Sequence, residues 1–218
     1  MRPEDIHARF SKLPGSGQIG SLFAMRGLAF WLERRRPTTV VEIGGGIGAL
    51  STVILRNVGE WTAVWVVEPH PWCQEQWKQN VVTACRRVFH ASATVPSRHR
   101  VDFLVVDGGD QRGDYYRNLA KRALVFVEGG RRPQRAVLEA ELRRACRPFA
   151  RATYRPLWPR TKGYSVYVTN PTAWERVWLA SVRLREAILD LVARGLRLPV
   201  GKKAQPVDLP AGQIAGGK

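Results

Sequence analysis

Four carboxylates and one glycine cluster have the residue types and spacing to do chemistry. Glu42, Glu68, Asp107 and Glu128 each end, or directly follow, a short run of β-branched and apolar residues, and Gly44, Gly45, Gly46 and Gly48 follow the first of them in "VVEIGGGIGALS". Glycine admits dihedrals closed to other residues and removes the Cβ atoms that would meet a ligand. A helix beginning near Gly48 turns its free N–H groups toward that ligand, and together these features favour the close approach of a nucleoside. Glu68, in "VWVVEPH", lies about twenty residues further on, where a carboxylate can accept hydrogen bonds from both ribose hydroxyls or cap the next helix. Asp107 and Asp110, in "VVDGGDQRGDYY", could orient a hydroxyl and take its proton, or cap the helix after them.

Two nucleoside chemistries compete for the loop. A dinucleotide site uses G-x-G-x-x-G with a pyrophosphate on the helix N-terminus. Here the spacing is Gly44-x-Gly46-x-Gly48, and a carboxylate at Glu42 would repel a pyrophosphate.

The elements that must position these residues alternate. A leader over 1–18 breaks at "LPGSG", and "QIGSLFAMRGLAFWLERRR" predicts a helix stopped by Pro37. Strands are predicted at "TTVVEIG", "TAVWVVEP", "RRVFHA", "VDFLVVDGG" and "ALVFVEGG". Helices are predicted at "IGALSTVILRNV", "PWCQEQWKQNVV", "QRGDYYRNLAKR" and "PQRAVLEAELRRA". Short, nearly all-apolar strands between helices predict a parallel α/β sheet covered on both faces, with ligands beyond the strands' carboxyl ends. "RATYRPLW" and "GYSVYVTN" then read as an antiparallel hairpin that finishes the sheet. Residues 172–198 predict an amphipathic helix with Trp174, Val177, Trp178, Ile188 and Val192 on its apolar face. Its polar face holds Glu175, Arg183, Glu186, Asp190, Arg194 and Arg197. That mixture of signs suits packing or a homodimer better than an anionic membrane. The expected organisation is a leader and helix over 1–36, a ligand-binding domain over 37–170, the helix over 171–198 and a disordered tail over 199–218.

The glycine loop resembles the E/D-x-G-x-G-x-G motif of class I S-adenosylmethionine-dependent methyltransferases. From Gly17 to Asn170 the chain is similar to their small O-methyltransferase branch. The resemblance implies a Rossmann-like, doubly wound, mostly parallel seven-stranded sheet and methyl transfer to a hydroxyl of a small-molecule acceptor. It implies that Glu42, Gly44, Gly45, Gly46, Gly48, Glu68 and Asp107 hold S-adenosylmethionine, and that Asp107 is the catalytic group. Metal-dependent members bind a divalent cation through an aspartate after strand four and an Asp-Asn pair after strand five. By position, Asp107 and Glu128 match the carboxylates, but Gly129 stands where the amide would be. Mg²⁺ dependence therefore stays open. After strand three only His90 and Ser92 offer side chains to an adenine, which leaves its recognition unassigned. His70 and His90 read as pocket-wall residues, Arg131 and Arg132 as a clamp for an anionic acceptor or as surface cations, and Tyr115 and Tyr116 as an acceptor wall or core.

The chain has 218 residues, 44% hydrophobic and 24% charged, with a net charge of +17 and three cysteines. No run of about eighteen apolar residues or signal-peptide core appears. The widely spaced cysteines predict neither disulfides nor a zinc site, and a cytoplasmic protein is expected. The positive charge fits a polyanion such as nucleic acid, or a solvated arginine-rich surface. Against nucleic acid, "DGGD" replaces the Asp/Asn-Pro-Pro-aromatic motif of base amino-methyltransferases. RNA methylation, and a degenerate methyltransferase fold working as an interaction module, remain the alternatives.

Overall fold

The structure, a computed structural model, describes residues 1–81, 88–91, 100–108, 114–129, 131–157 and 163–195. In chain order the helices are α1 (Pro3–Phe10), α2 (Leu22–Arg35), α3 (Ala49–Asn57), α4 (Pro71–Asn80), α5 (Asp114–Arg117), α6 (Arg132–Arg144) and α7 (Ala173–Gly195). The strands are β1 (Thr39–Ile43), β2 (Ala63–Val67), β3 (Val88–Ala91), β4 (Val101–Val106), β5 (Leu119–Glu128), β6 (Phe149–Tyr154) and β7 (Tyr164–Thr169). They form one seven-stranded sheet in the order β3-β2-β1-β4-β5-β7-β6. Neighbouring strands from β3 through β5 pair in parallel, and only β7 runs against the rest. This is the expected Rossmann-like, doubly wound sheet closed by an antiparallel hairpin.

Strand side chains alternate between two cores. Val40, Phe103, Val105, Leu124 and Phe126 pack with α1, α2, α3 and α7 on one face. Val41, Leu104, Val106, Val125 and Val127 pack with α5 and α6 on the other. Burying each such side chain contributes roughly 1.5–3 kcal/mol. Helix α2 starts where Ser21 caps it, its hydroxyl accepting from Ala24 N at 3.2 Å, and ends at Arg36 in the left-handed region (φ 45°) just before Pro37. It crosses the sheet closely at Gly27, where a Cβ would lie 2.2 Å from Tyr164 Cε1.

Three features differ from expectation. β5 begins at Leu119, inside the predicted helix, and α5 is a single turn. Leu119 is buried, Arg147 donates to its carbonyl at 2.7 Å, and Thr169 Oγ1 accepts from Ala123 N at 2.8 Å while bonding the Lys121 carbonyl. Tertiary partners thus satisfy an extended backbone that local pattern gives to a helix. β6 begins two residues before the predicted strand and ends at Tyr154 rather than Trp158.

The third difference is the facing of α7. Leu179, Val182, Glu186 and Ala193 are its buried positions, whereas Trp174, Val177, Ile188 and Val192 of the predicted apolar face are exposed. Arginines from other elements decide this: Glu175 pairs with Arg35 (2.8 Å) and Arg122 (3.0 Å), and Asp190 with Arg155 (2.8 Å), drawing those acids inward. Arg197 and the tail over 199–218 lie outside the described residues, as do Asp110, Ser92 and the side chains of His90, Tyr115 and Arg194. Among the described residues, no helix is long and apolar enough to cross a membrane.

Candidate active site

The carboxyl ends of β1, β2 and β4 converge because their following loops are tied to neighbouring strands. Gly44 N donates to Val67 O, and Asp107 N and Gly108 N both donate to Ile43 O, each at 2.8 Å. This lacing explains most of the glycines. A Cβ at Gly44 would lie 2.4 Å from Gly108 Cα, one at Gly45 2.5 Å from Val66 Cγ1, and one at Gly48 2.2 Å from Val81 Cγ2. Gly46 is different: its φ is +51°, and a Cβ there would meet nothing within 4 Å. Three glycines are therefore small because protein packs against them, and Gly46 is the one that opens outward.

Glu68 holds that loop. Its Oε2 accepts from Gly46 N and its Oε1 from His70 N, both at 2.8 Å, which leaves further lone-pair positions on a buried carboxylate. Glu42 lies fully buried beneath the loop. Ser51 donates to its Oε2 and Trp77 Nε1 donates to Ser51 Oγ at 2.6 Å, while Glu42 Oε1 has no hydrogen-bond partner among the described residues. Burial drives the Glu42 pKa well above the ordinary carboxylate range, with Ser51 opposing and the charges of Asp107 and Glu68 adding to the shift.

A cavity of about 510 Å³ opens over this loop, within the range of small-molecule sites. Its walls include Gly46, Ile47 and Leu50 on the β1–α3 side, His70, Trp72 and Cys73 at the start of α4, and Asp107 after β4. The segment from Gly15 to Gly20 closes it from the leader. Sequence reasoning missed Trp72, Cys73 and the leader wall. A signal for the wall was present in "LPGSG": Gly15 has φ +82°, and a Cβ there would lie 2.8 Å from the Trp72 ring. A second cavity of about 520 Å³, between Glu33–Thr38 and Asn57–Thr62, has neither the glycine loop nor Asp107 in its walls.

Asp107 is largely buried and shares one guanidinium with Glu128. Arg131 Nη2 lies 2.6 Å from Asp107 Oδ1 and 4.0 Å from Glu128 Oε2. Burial raises the Asp107 pKa to about 7, the neighbouring Glu128 charge adds to it, and Arg131 acts the other way. Burial and the second carboxylate outweigh one shared cation. Arg131 is therefore engaged rather than free to clamp an anionic acceptor, and Arg132 is exposed on α6. Tyr116 is buried in the core beneath α6, away from the cavity walls.

Two implied groups can be tested against these residues. A nucleoside cofactor fits: the cavity and the outward-opening Gly46 provide space, and Glu68, bonded to Gly46 N, keeps acceptor positions to spare. A divalent cation does not fit. Asp107 and Glu128 are brought together, but around Arg131, and no group of three His, Cys, Asp or Glu able to hold a metal occurs among the described residues.

The strand order and the parallel pairing around the glycine loop define a Rossmann-like, doubly wound fold. The chain is similar in structure to an O-methyltransferase from Bacillus cereus solved in complex with SAH, at a TM-score of 0.60 and 12% identity, covering 77% of this chain and 90% of that one. It is also similar to a SAM-dependent O-methyltransferase from Thermotoga maritima (TM-score 0.56, 16% identity, 79% and 72% covered). An rRNA methylase from Streptococcus thermophilus shares the fold as well (TM-score 0.54, 13% identity, 68% and 97% covered). No family model matches the chain, and no curated protein matches it. At these identities the likeness establishes the fold.

Proposed function

We propose that this protein is an S-adenosylmethionine-dependent methyltransferase acting on a hydroxyl of a small-molecule acceptor. The observation that carries this reading is one cavity joining the outward-opening Gly46 to Asp107, a buried carboxyl poised near neutrality. In this reading residues 37–170 bind the cofactor and the leader over 1–36 walls the cavity. Gly46, Glu68 and the loop from Gly44 to Gly48 hold the nucleoside, with Glu42 beneath them. Bound cofactor would supply an electrophilic methyl group and leave as its neutral thioether, a displacement for which alignment is the main requirement. Asp107 accepts the proton of the acceptor hydroxyl as its oxygen gains the methyl group. When Asp107 is ionised, two carboxylates around one guanidinium leave net negative charge beside the cavity, which favours a cationic sulfonium. Trp72 offers an aromatic face to the adenine or the acceptor. We place the protein in the cytoplasm, with no metal in the reaction.

Calorimetric titration of the purified protein with S-adenosylhomocysteine, with and without Mg²⁺, tests this. Micromolar binding unaffected by Mg²⁺ is expected; a folded protein that does not bind overturns the assignment.

The net charge of +17 favours a second reading, methylation of RNA. The basic stretch after Arg131 weighs against it. Arg143 pairs with Glu139, Arg144 with Glu141 and Arg155 with Asp190, while Arg147 bonds backbone carbonyls. RNA binding that weakens steeply with salt would support this reading; no binding at moderate salt removes it.

A further inference from the structure

Helix α7 is amphipathic twice over. Its inward face buries Leu179, Val182 and Ala193. Outward, Trp174 (66%), Val177 (61%), Leu184 (64%), Ile188 (50%), Leu191 (67%) and Val192 (50%) are exposed to the stated fractions. At 100° per residue they form one stripe along a helix of 23 residues, roughly 35 Å long. Contiguous exposed apolar area on this scale marks an interaction surface.

The charges bordering the stripe identify its partner. Every acid described on α7 faces inward: Glu175 and Asp190 are held by arginines of other elements, and Glu186 is buried. Among the described residues, the exposed charges on the helix are Arg176 and Arg183 along one border of the stripe and Arg185 along the other. The apolar surface continues onto α2 through Phe30, 47% exposed and 6.2 Å from the Trp178 ring, with the Arg34 guanidinium 5.2 Å over that ring. A two-fold pairing of α7 with a second copy would bring arginine borders together with no outward carboxylate on either helix to meet them. An anionic bilayer supplies that counter-charge, and a basic-edged apolar face with aromatic residues at one end suits the headgroup boundary.

We infer that the outward face of α7 docks the protein on the surface of a lipid bilayer carrying anionic headgroups, lying in the interface without spanning it. The overall charge of +17 adds long-range attraction to the same surface. This inference is independent of the cofactor assignment.

The test is co-sedimentation of the full chain with phosphatidylcholine vesicles and with vesicles that also contain phosphatidylserine. Binding only to the anionic vesicles is expected. Arg183→Gln/Arg185→Gln should weaken it about fivefold per arginine, and Leu184→Ser/Leu191→Ser should abolish it. Both pairs are exposed, so thermal melts should match the parent protein. Vesicle addition should shift tryptophan emission to the blue, and Trp174→Phe should remove most of that shift. Equal partition onto neutral and anionic vesicles, or none onto either, overturns the inference. So does a mass in solution twice that of the monomer that Leu184→Ser/Leu191→Ser halves, which would assign the stripe to a second copy of the chain.

Discussion

Arg131 reaches back from the start of α6 to place Nη2 2.6 Å from Asp107 Oδ1 at the end of β4, while the same nitrogen lies 4.0 Å from Glu128. One guanidinium thus stands between a largely buried carboxylate and a buried one. Arg131→Ala leaves both acids without that partner. It is expected to cost on the order of 1–3 kcal/mol of stability by chemical denaturation, and to move the Asp107 titration further toward alkaline pH. Unchanged stability and an unchanged pH profile would remove Arg131 from the site.

Asp107 can take a proton only when ionised. With its pKa raised to about 7, kcat/KM should rise with pH up to neutrality and level off above it. Asp107→Asn should abolish that rise and lower kcat by roughly 10²–10⁴-fold while leaving S-adenosylhomocysteine affinity within about tenfold. A pH profile identical in the variant would place the base elsewhere.

The loop glycines should separate by role. Gly44→Ala meets the Gly108 backbone and a φ of +86°, and is expected to cost roughly 3 kcal/mol of stability. Gly46→Ala meets no neighbour; it should cost about 1–2 kcal/mol for its left-handed backbone and weaken S-adenosylhomocysteine binding about tenfold or more by filling cavity volume. Calorimetry beside denaturation distinguishes the two. Equal binding by Gly46→Ala and the parent would move the ligand away from this loop.

Gly27 sets two effects against each other. Alanine gains about 1 kcal/mol of helix propensity over glycine, but its Cβ would lie 2.2 Å from Tyr164 Cε1, and overpacking costs about 1–3 kcal/mol or more. The ring is stacked between Phe126 (4.7 Å) and Tyr154 (4.9 Å) and has little room to yield. Gly27→Ala should therefore lower the Tm; a rise would show that α2 can lift off β7.

Glu42 should make stability fall as pH rises. Its folded pKa lies well above the ordinary value of 4.5, so folding favours the protonated form, and stability is lost as pH climbs from that ordinary value toward the folded one. Glu42→Gln removes this titration, so the variant should gain on the parent protein at pH 8 relative to pH 5 in urea unfolding. A constant difference between the two would mean that Glu42 is solvated in the fold.

The residues that make the sheet and its loop carry their signals locally. Runs such as "VWVV" and "FLVV" are apolar on both sides because helices cover both faces, and glycine spacing after β1 needs no partner to be read. The elements misjudged from sequence, the early start of β5 and the facing of α7, depend on residues far along the chain. Thr169 and Arg147 hold the extended backbone of Leu119–Ala123, and Arg35, Arg122 and Arg155 turn the acids of α7 inward. The candidate site divides in the same way. Glu42, Glu68, Asp107 and the glycines are legible because a strand end followed by a turn fixes their place. Trp72 and the Gly15–Gly20 wall are not, because a wall exists only once the leader folds across α4. Sequence by itself determined which residues gather at the carboxyl edge of the sheet, since each lies at a strand end followed by a locally encoded turn. Only the tertiary structure decided which glycines open to a ligand, that Arg131 stands between two carboxylates, and which face of α7 meets the solvent, because burial and charge pairing are set by neighbours distant in the chain.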